Sequence, residues 1–110
     1  MQKTHNELMD DLPPLNSLRV FEACARIGNF TRAAEELGLT QSAVSRQIQL
    51  LEGRLNLQLF RRKGRRIQLT QEGQSYAQVV RRALELISKE TRRLCRKPRR
   101  DTLVASTVPS

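Results

Sequence analysis

Two stretches of this 110-residue chain carry side chains whose types and spacing suit contact with a polyanion. Five of the six residues from Arg61 to Arg66 are basic, with Gly64 among them, and Arg92-Arg93-Leu94-Cys95-Arg96-Lys97-Pro98-Arg99-Arg100 forms a second run. Residues 1–60 hold 6 basic and 7 acidic side chains, while residues 61–110 hold 14 and 4, so the second half supplies the whole net charge of +9. Cations this dense repel one another unless a polyanion is near, which points to nucleic acid ahead of an anionic membrane surface. The other stretch is Gln41 to Gln49. On a helix turning about 100° per residue, Ser42, Ser45, Arg46, Gln49 and Gly53 share one side, free of acids and of large apolar groups. A solvated helix face mixes Lys and Glu, whereas hydroxyls, amides and an arginine are the groups that bond base edges and phosphates.

Covalent chemistry finds no comparable support. The lone histidine is His5 near the N-terminus, no carboxylate pair stands beside a nucleophile, and Gly64 lies outside any phosphate-cradling glycine pattern. Cys24 and Cys95 are far apart, without a CxxC pair, so neither a zinc site nor a disulfide framework is expected. No metal and no cofactor is anticipated. No apolar run approaches the ~20 residues of a membrane span, and Met1–Leu12 lacks the apolar stretch of a secretory signal, so the expected location is the cytoplasm.

The elements that must position these groups follow from period and punctuation. Residues 1–14 read as a disordered tail stiffened by Pro13-Pro14. Asn16 is a suitable cap for a helix over 17–27, with Leu18, Phe21 and Ala25 inward and Gly28 ending it. Thr31 caps a short helix, 32–37, stopped by Gly38. Thr40 then caps a third helix, 41–55, whose Val44, Ile48, Leu51 and Leu55 lie within about 40° of one another's stripe centre. Two helices joined by so tight a turn form a helix-turn-helix. Asn56 suits a left-handed C-cap. Strands over 58–61 and 66–69, turning at Gly64, make a small wing with a cationic tip suited to a minor groove or to phosphates. A last helix, capped by Thr70 and ended before Pro98, carries Tyr76, Val80, Ala83, Ile87 and Leu94 in a heptad rhythm. That stripe is longer than so small a core can cover, which predicts a homodimer seam. Thr102–Val108 is β-prone with no sheet to join.

With these segments in hand, the chain resembles the N-terminal DNA-binding region of LysR-type transcriptional regulators. The likeness runs through Leu15-Asn16-Ser17-Leu18-Arg19-Val20-Phe21-Glu22, Asn29-Phe30-Thr31-Arg32-Ala33-Ala34-Glu35-Glu36-Leu37, Thr40-Gln41-Ser42-Ala43-Val44-Ser45-Arg46-Gln47-Ile48, Leu51-Glu52, Leu59-Phe60-Arg61-Arg62 and Leu69-Thr70-Gln71-Glu72-Gly73. It implies a mainly α fold: a winged helix-turn-helix of three helices and a two-stranded wing over 15–70, a dimerisation linker helix over 71–97, and a hinge with the first strand of an absent effector-binding domain over 98–110. It further implies that Gln41, Ser42, Ser45 and Arg46 face the major groove of double-stranded DNA, that Thr31 opens the second helix beside a phosphate, and that Arg65 of the wing reaches the minor groove. Thr40, Gln49, Arg62 and Arg66 complete the expected contact set. The linker helices are expected to pair antiparallel, higher oligomers belong to a full-length form, and a small-molecule inducer is expected only where the effector domain is present. Asn56 replaces the family's usual glycine. The rival reading is a small RNA-binding or ribosome-associated basic protein; against it, Phe21, Phe30, Phe60 and Tyr76 stand at core or helix-interface positions rather than as stacking platforms.

Overall fold

A computed structural model describes residues 10–64 and 66–96. Helix α1 spans Leu15–Ile27, α2 Phe30–Leu37 and α3 Gln41–Leu55; strands β1, Phe60–Lys63, and β2, Arg66–Leu69, precede α4, Gln71–Cys95. The fold is mainly α, a winged helix-turn-helix followed by one long helix.

Local chemistry explains most of these boundaries. Thr40 caps α3 by accepting a hydrogen bond from the Ala43 amide at 3.1 Å, and Thr70 caps α4 by accepting from the Gly73 amide at 3.0 Å. Asn56 sits in the left-handed region at φ 58°, where an asparagine is tolerated nearly as well as a glycine. Two expected caps differ. Helix α1 starts at Leu15 behind Pro14, and Asn16 is not its cap; the Asn16 Oδ1 atom accepts from Arg19 Nη2 at 3.0 Å instead. Asn29, not Thr31, caps α2, its Oδ1 atom accepting from the Arg32 amide at 2.9 Å. Both residues are competent caps, and the earlier one places Phe30 inside the helix, where its ring meets Phe60 edge-on at 5.6 Å.

The wing is a two-stranded antiparallel hairpin in which Phe60 pairs with Leu69 and Lys63 with Arg66. Its first strand is 60–63 rather than the expected 58–61. Gln58 and Leu59 are engaged elsewhere: the Gln58 carbonyl accepts the Thr70 hydroxyl at 2.7 Å, and the Leu59 carbonyl accepts the Thr70 amide at 2.9 Å. Gly64, at φ 65°, supplies the positive φ that a two-residue hairpin turn demands.

Helices α1, α2 and α3 enclose the core with the wing root and the start of α4. Val20, Phe21, Cys24, Ala33, Val44, Leu51 and Leu59 are fully buried. In α1 the inward stripe is centred on Ser17, Val20, Phe21 and Cys24, with Leu18 and Ala25 at its margins. Each large aliphatic side chain buried here contributes about 1.5–3 kcal/mol. Burial pushes the Cys24 thiol up to about 12, so it stays protonated and serves as a small apolar filler. Phe21 anchors the aromatic cluster, 5.5 Å from the Phe60 ring and 5.7 Å from Tyr76. Where α4 crosses the wing root, a Cβ on Gly73 would stand 2.1 Å from the Leu59 carbonyl oxygen, so only glycine admits this approach.

Candidate nucleic-acid interface

Helix α3 spends its apolar and polar sides on different tasks. Val44, Ile48 and Leu51 are buried and Leu55 is half-buried, as the stripe predicts. On the other side Gln41, Ser42, Arg46 and Gln49 are exposed and Ser45 is half-buried. Thr40 Oγ1 and Ser42 Oγ lie 3.3 Å apart at the N-terminus, so these two hydroxyls are preordered. Among the described residues, the side chains of Gln41, Ser45, Arg46 and Gln49 form no hydrogen bond or ion pair. Gln47, by contrast, is turned inward: its Oε1 atom accepts from the Ser17 hydroxyl at 2.7 Å, tying α3 to α1. That bond satisfies a hydroxyl with no solvent exposure and fixes the roll of α3, which sequence reading did not anticipate.

The wing lies beside this face. A cleft of about 310 Å³ lies between the two, lined by the polar Ser45, Gln49, Glu52, Gln58, Arg61 and Arg62 and by the apolar Phe30, Ile48, Phe60 and Ile67. Arg62 is held over the Phe30 ring, its guanidinium carbon 5.8 Å from the centroid, so a wing cation is braced by the opening residue of α2. Thr31, one residue on, is exposed at the same helix end, and Thr40 is exposed at the start of α3. On the far side of the wing a notch of about 540 Å³ gathers Arg32, Lys63 and Arg66 around Asn29. Arg65 lies outside the described residues, as do residues 1–9 of the tail expected over 1–14 and everything from 97 to 110.

Three of the described cations are paired with carboxylates. Arg26 bonds Glu22 at 3.1 Å and Glu36 at 2.5 Å, and Arg81 lies 3.6 Å from Glu22 and 3.2 Å from Glu85. The hydrogen bonds that Arg26 donates to Glu36 and Glu22 raise its pKa, and the Arg26 guanidinium holds the Glu36 carboxyl below its usual range. Arg93 is bonded to Glu90 at 2.6 Å. Arg26–Glu36 ties α1 to α2 and Arg81–Glu22 ties α4 to α1, while the other pairs lie within one helix. Arg32, Arg46, Arg61, Lys63 and Arg66 on α2, α3 and the wing have no carboxylate partner among the described residues, and neither have Arg19 on α1 or Arg82, Lys89, Arg92 and Arg96 towards the end of α4. The unpaired Arg61 at the wing shares a cleft with the polar Ser45 and Gln49 of α3, and a cation beside a helix face with spare donors and acceptors can bind a phosphodiester backbone and its base edges together.

Helix α4 offers a different surface. Tyr76 is half-buried and Val80 is only 5% exposed, both packed on the core of their own chain, with Ala77 and Leu84 beside them. Burial raises the Tyr76 hydroxyl pKa, against a smaller lowering by Arg54. After Leu84 every described residue is exposed. Ile87 is 58% and Leu94 52% exposed, and Ala83 is open as well; Val79 and Leu86, which heptad reading passed over, are 61% and 63% exposed. Their signal was present in the spacing Val79, Ala83, Leu86, but which side of α4 the core would occupy was not. No described helix is long and apolar enough to cross a membrane, and among the described residues no group of three His, Cys, Asp or Glu side chains could hold a metal ion.

Comparison with known proteins bears on this geometry. Residues 15–74 match the family described as bacterial regulatory helix-turn-helix protein, lysR family. The chain is 50% identical over 99 residues to the glycine cleavage system transcriptional activator of Escherichia coli (strain K12), covering 90% of this chain and 32% of that protein. It therefore spans about a third of the length of the curated relatives it matches. Among solved structures it is similar to the CbnR DNA-binding domain in complex with DNA, at TM-score 0.68 and 36% identity, over 74% of this chain and 93% of that one. The BenM DNA-binding domain bound to benA site 1 DNA matches at TM-score 0.69 and 34% identity, over 78% of this chain and all of that one.

Proposed function

Since the chain belongs to the lysR family of bacterial regulatory helix-turn-helix proteins, we propose that it is the DNA-binding part of a transcriptional regulator and grips duplex DNA as a homodimer. Helix α3 enters the major groove, with Gln41, Ser42, Ser45, Arg46 and Gln49 against base edges. Thr31 and Thr40, at two helix N-termini, meet phosphates, while Arg62, Arg65 and Arg66 of the wing follow the adjacent minor groove. The observation that carries this reading is the polar face of α3, where Gln41, Ser45, Arg46 and Gln49 have no side-chain partner among the described residues, next to wing arginines that have no carboxylate partner among them.

Dimerisation uses the open strip of α4. A helix of 25 residues is about 37 Å long, and only its first half rests on the domain. Val79, Ala83, Leu86, Ile87 and Leu94 would otherwise leave a contiguous apolar surface in water, which soluble monomers rarely carry. Pairing these helices antiparallel about a two-fold axis presents two α3 helices to a site with dyad symmetry. Residues 71–97 act as the linker helix, and 98–110 as a hinge leading into an effector-binding domain, where an inducer binds if that domain is present. The N-terminal residues 1–14 serve as a tail, and higher oligomers belong to a longer form. The protein is no enzyme, needs no cofactor or membrane, and works in the cytoplasm.

The test is equilibrium binding of the purified chain to a randomised duplex pool, followed by footprinting and a salt titration. With 6–10 phosphate contacts per dimer as a working figure, affinity falls by about 10³–10⁵ between ~50 and ~200 mM salt. A flat salt response, or tighter binding to single-stranded RNA than to duplex DNA, would favour an RNA-binding protein instead.

A further inference from the structure

Glu52 is an oddity in its setting. It lies in the last turn of α3, where the helix dipole disfavours an anion, and it lines a cleft together with Arg61 and Arg62. A carboxylate there should pair with one of the arginines, yet among the described residues Glu52 forms no ion pair. Its Oε2 atom instead accepts two backbone amides at the wing root, from Leu59 at 2.8 Å and Phe60 at 3.3 Å. Leu59 is fully buried and Phe60 nearly so, which leaves those amides little water as an alternative. From the other side the Leu59 carbonyl accepts the Thr70 amide, and Gly73 of α4 presses against the same carbonyl. One peptide is thus gripped by α3 through its N–H and by the start of α4 through its C=O.

We propose that Glu52 is a positioning residue that locks the wing at one fixed offset from α3, so that major-groove and minor-groove contacts fall at a set separation along the duplex. The inference rests on the DNA-binding reading above. Two consequences follow from the geometry. Because the backbone absorbs the carboxylate, Arg61 and Arg62 keep their charge for a phosphate or a groove. Because the bond joins a helix side chain to the first residues of the hairpin, losing it frees the wing to swing while the core, built from Val44, Ile48, Leu51 and Phe21, remains closed.

The experiment uses the full chain and a duplex series in which an A·T-rich flank is moved stepwise away from the segment bound by α3. The unmodified chain should favour one spacing by about tenfold, the scale set by hydrogen bonds to a charged acceptor. Glu52→Ala should flatten the series while leaving the salt slope and the affinity for unrelated duplex unchanged, since no phosphate-binding cation is removed. Amide exchange should quicken at Leu59 and Phe60 and stay slow at Ile48 and Leu51. A merely structural residue would weaken every member of the series alike. Should Glu52→Ala fail to fold, Glu52→Gln, of the same size but without the charge, reads the same series and should lose part of the preference. A folded variant that keeps the parental spacing preference, or a parent without one, overturns the positioning role while leaving DNA binding intact. A parent that binds no duplex removes the DNA-binding reading and this role with it.

Discussion

Helices α3 and α4 are both amphipathic, and they leave opposite sides unsatisfied. In α3 the apolar stripe is turned into the domain, with Val44, Ile48 and Leu51 buried and Leu55 half-buried, and the polar face has spare donors, acceptors and an arginine without a partner among the described residues. In α4 the polar face is laced internally, by Arg81 with Glu85 and Arg93 with Glu90, and the apolar strip beyond Leu84 is uncovered. What each helix lacks describes its partner: a polar, anionic surface for α3 and an apolar one for α4. Partner chemistry is legible here in what folding left over, since a folded chain satisfies whatever groups it can reach.

The largest expected effect tests the α4 side. Replacing Leu86 or Ile87 by Glu buries an unpaired charge in the proposed seam, at a cost of about 3–5 kcal/mol to association. Sedimentation should show monomers, thermal melting of the diluted chain should be unchanged, and DNA affinity should drop towards that of one half-site. An unmodified chain that is monomeric at micromolar concentration would dissolve the contrast between the two helices.

Next comes the joint that holds them in one body. Gly73→Ala places a methyl group against the Leu59 carbonyl and should destabilise the fold by about 3 kcal/mol, visible as a lower midpoint in urea. If the midpoint holds, α4 is not seated on the wing root as described.

The α3 side is probed by Arg46→Ala, expected to cost about 1–3 kcal/mol on the preferred site and to relax the preference at particular base pairs, with no change in melting. Arg62→Ala should act differently, weakening binding on all sequences and lowering the salt slope by about one. Identical behaviour of the two variants on every duplex would mean that α3 does not read bases.

The smallest effect concerns pairs that are already satisfied. Arg26 holds the Glu36 pKa below its ordinary 4.5, so the pair's contribution is complete above that pH and is lost as pH falls through the lower folded value. Glu36→Gln should therefore melt slightly below the unmodified chain at neutral pH, with the gap closing under acid. Because both side chains are solvated, the difference should stay small and shrink further with salt, and a gap that widened in acid would contradict the assignment.

Legibility in the sequence followed the range of the interaction. The caps at Thr40 and Thr70, the left-handed Asn56 and the turn at Gly64 were all readable, because each depends on a residue type and its immediate neighbours. So was the division of α3 into an apolar stripe and a polar face. Where two neighbours were equally competent, as Asn29 and Thr31 were, sequence could not choose, and the contact of Phe30 with Phe60 did. The first wing strand was placed two residues early because nothing local reveals that the Gln58 and Leu59 carbonyls are spoken for by Thr70.

By itself, then, the sequence determined the order and kind of the elements, the concentration of cations in the second half, and the residues of α3 turned away from the core, since periodicity and capping act over one or two helical turns. Only the tertiary structure decided three further things. Glu52 reaches the wing root rather than an arginine, Gln47 is claimed by Ser17, and α4 meets the core along Tyr76, Val80 and Leu84 so that Val79, Leu86 and Ile87 stay open. Each depends on how one element is rolled and seated against another. That orientation comes from packing the whole core at once, and no window of the chain contains it.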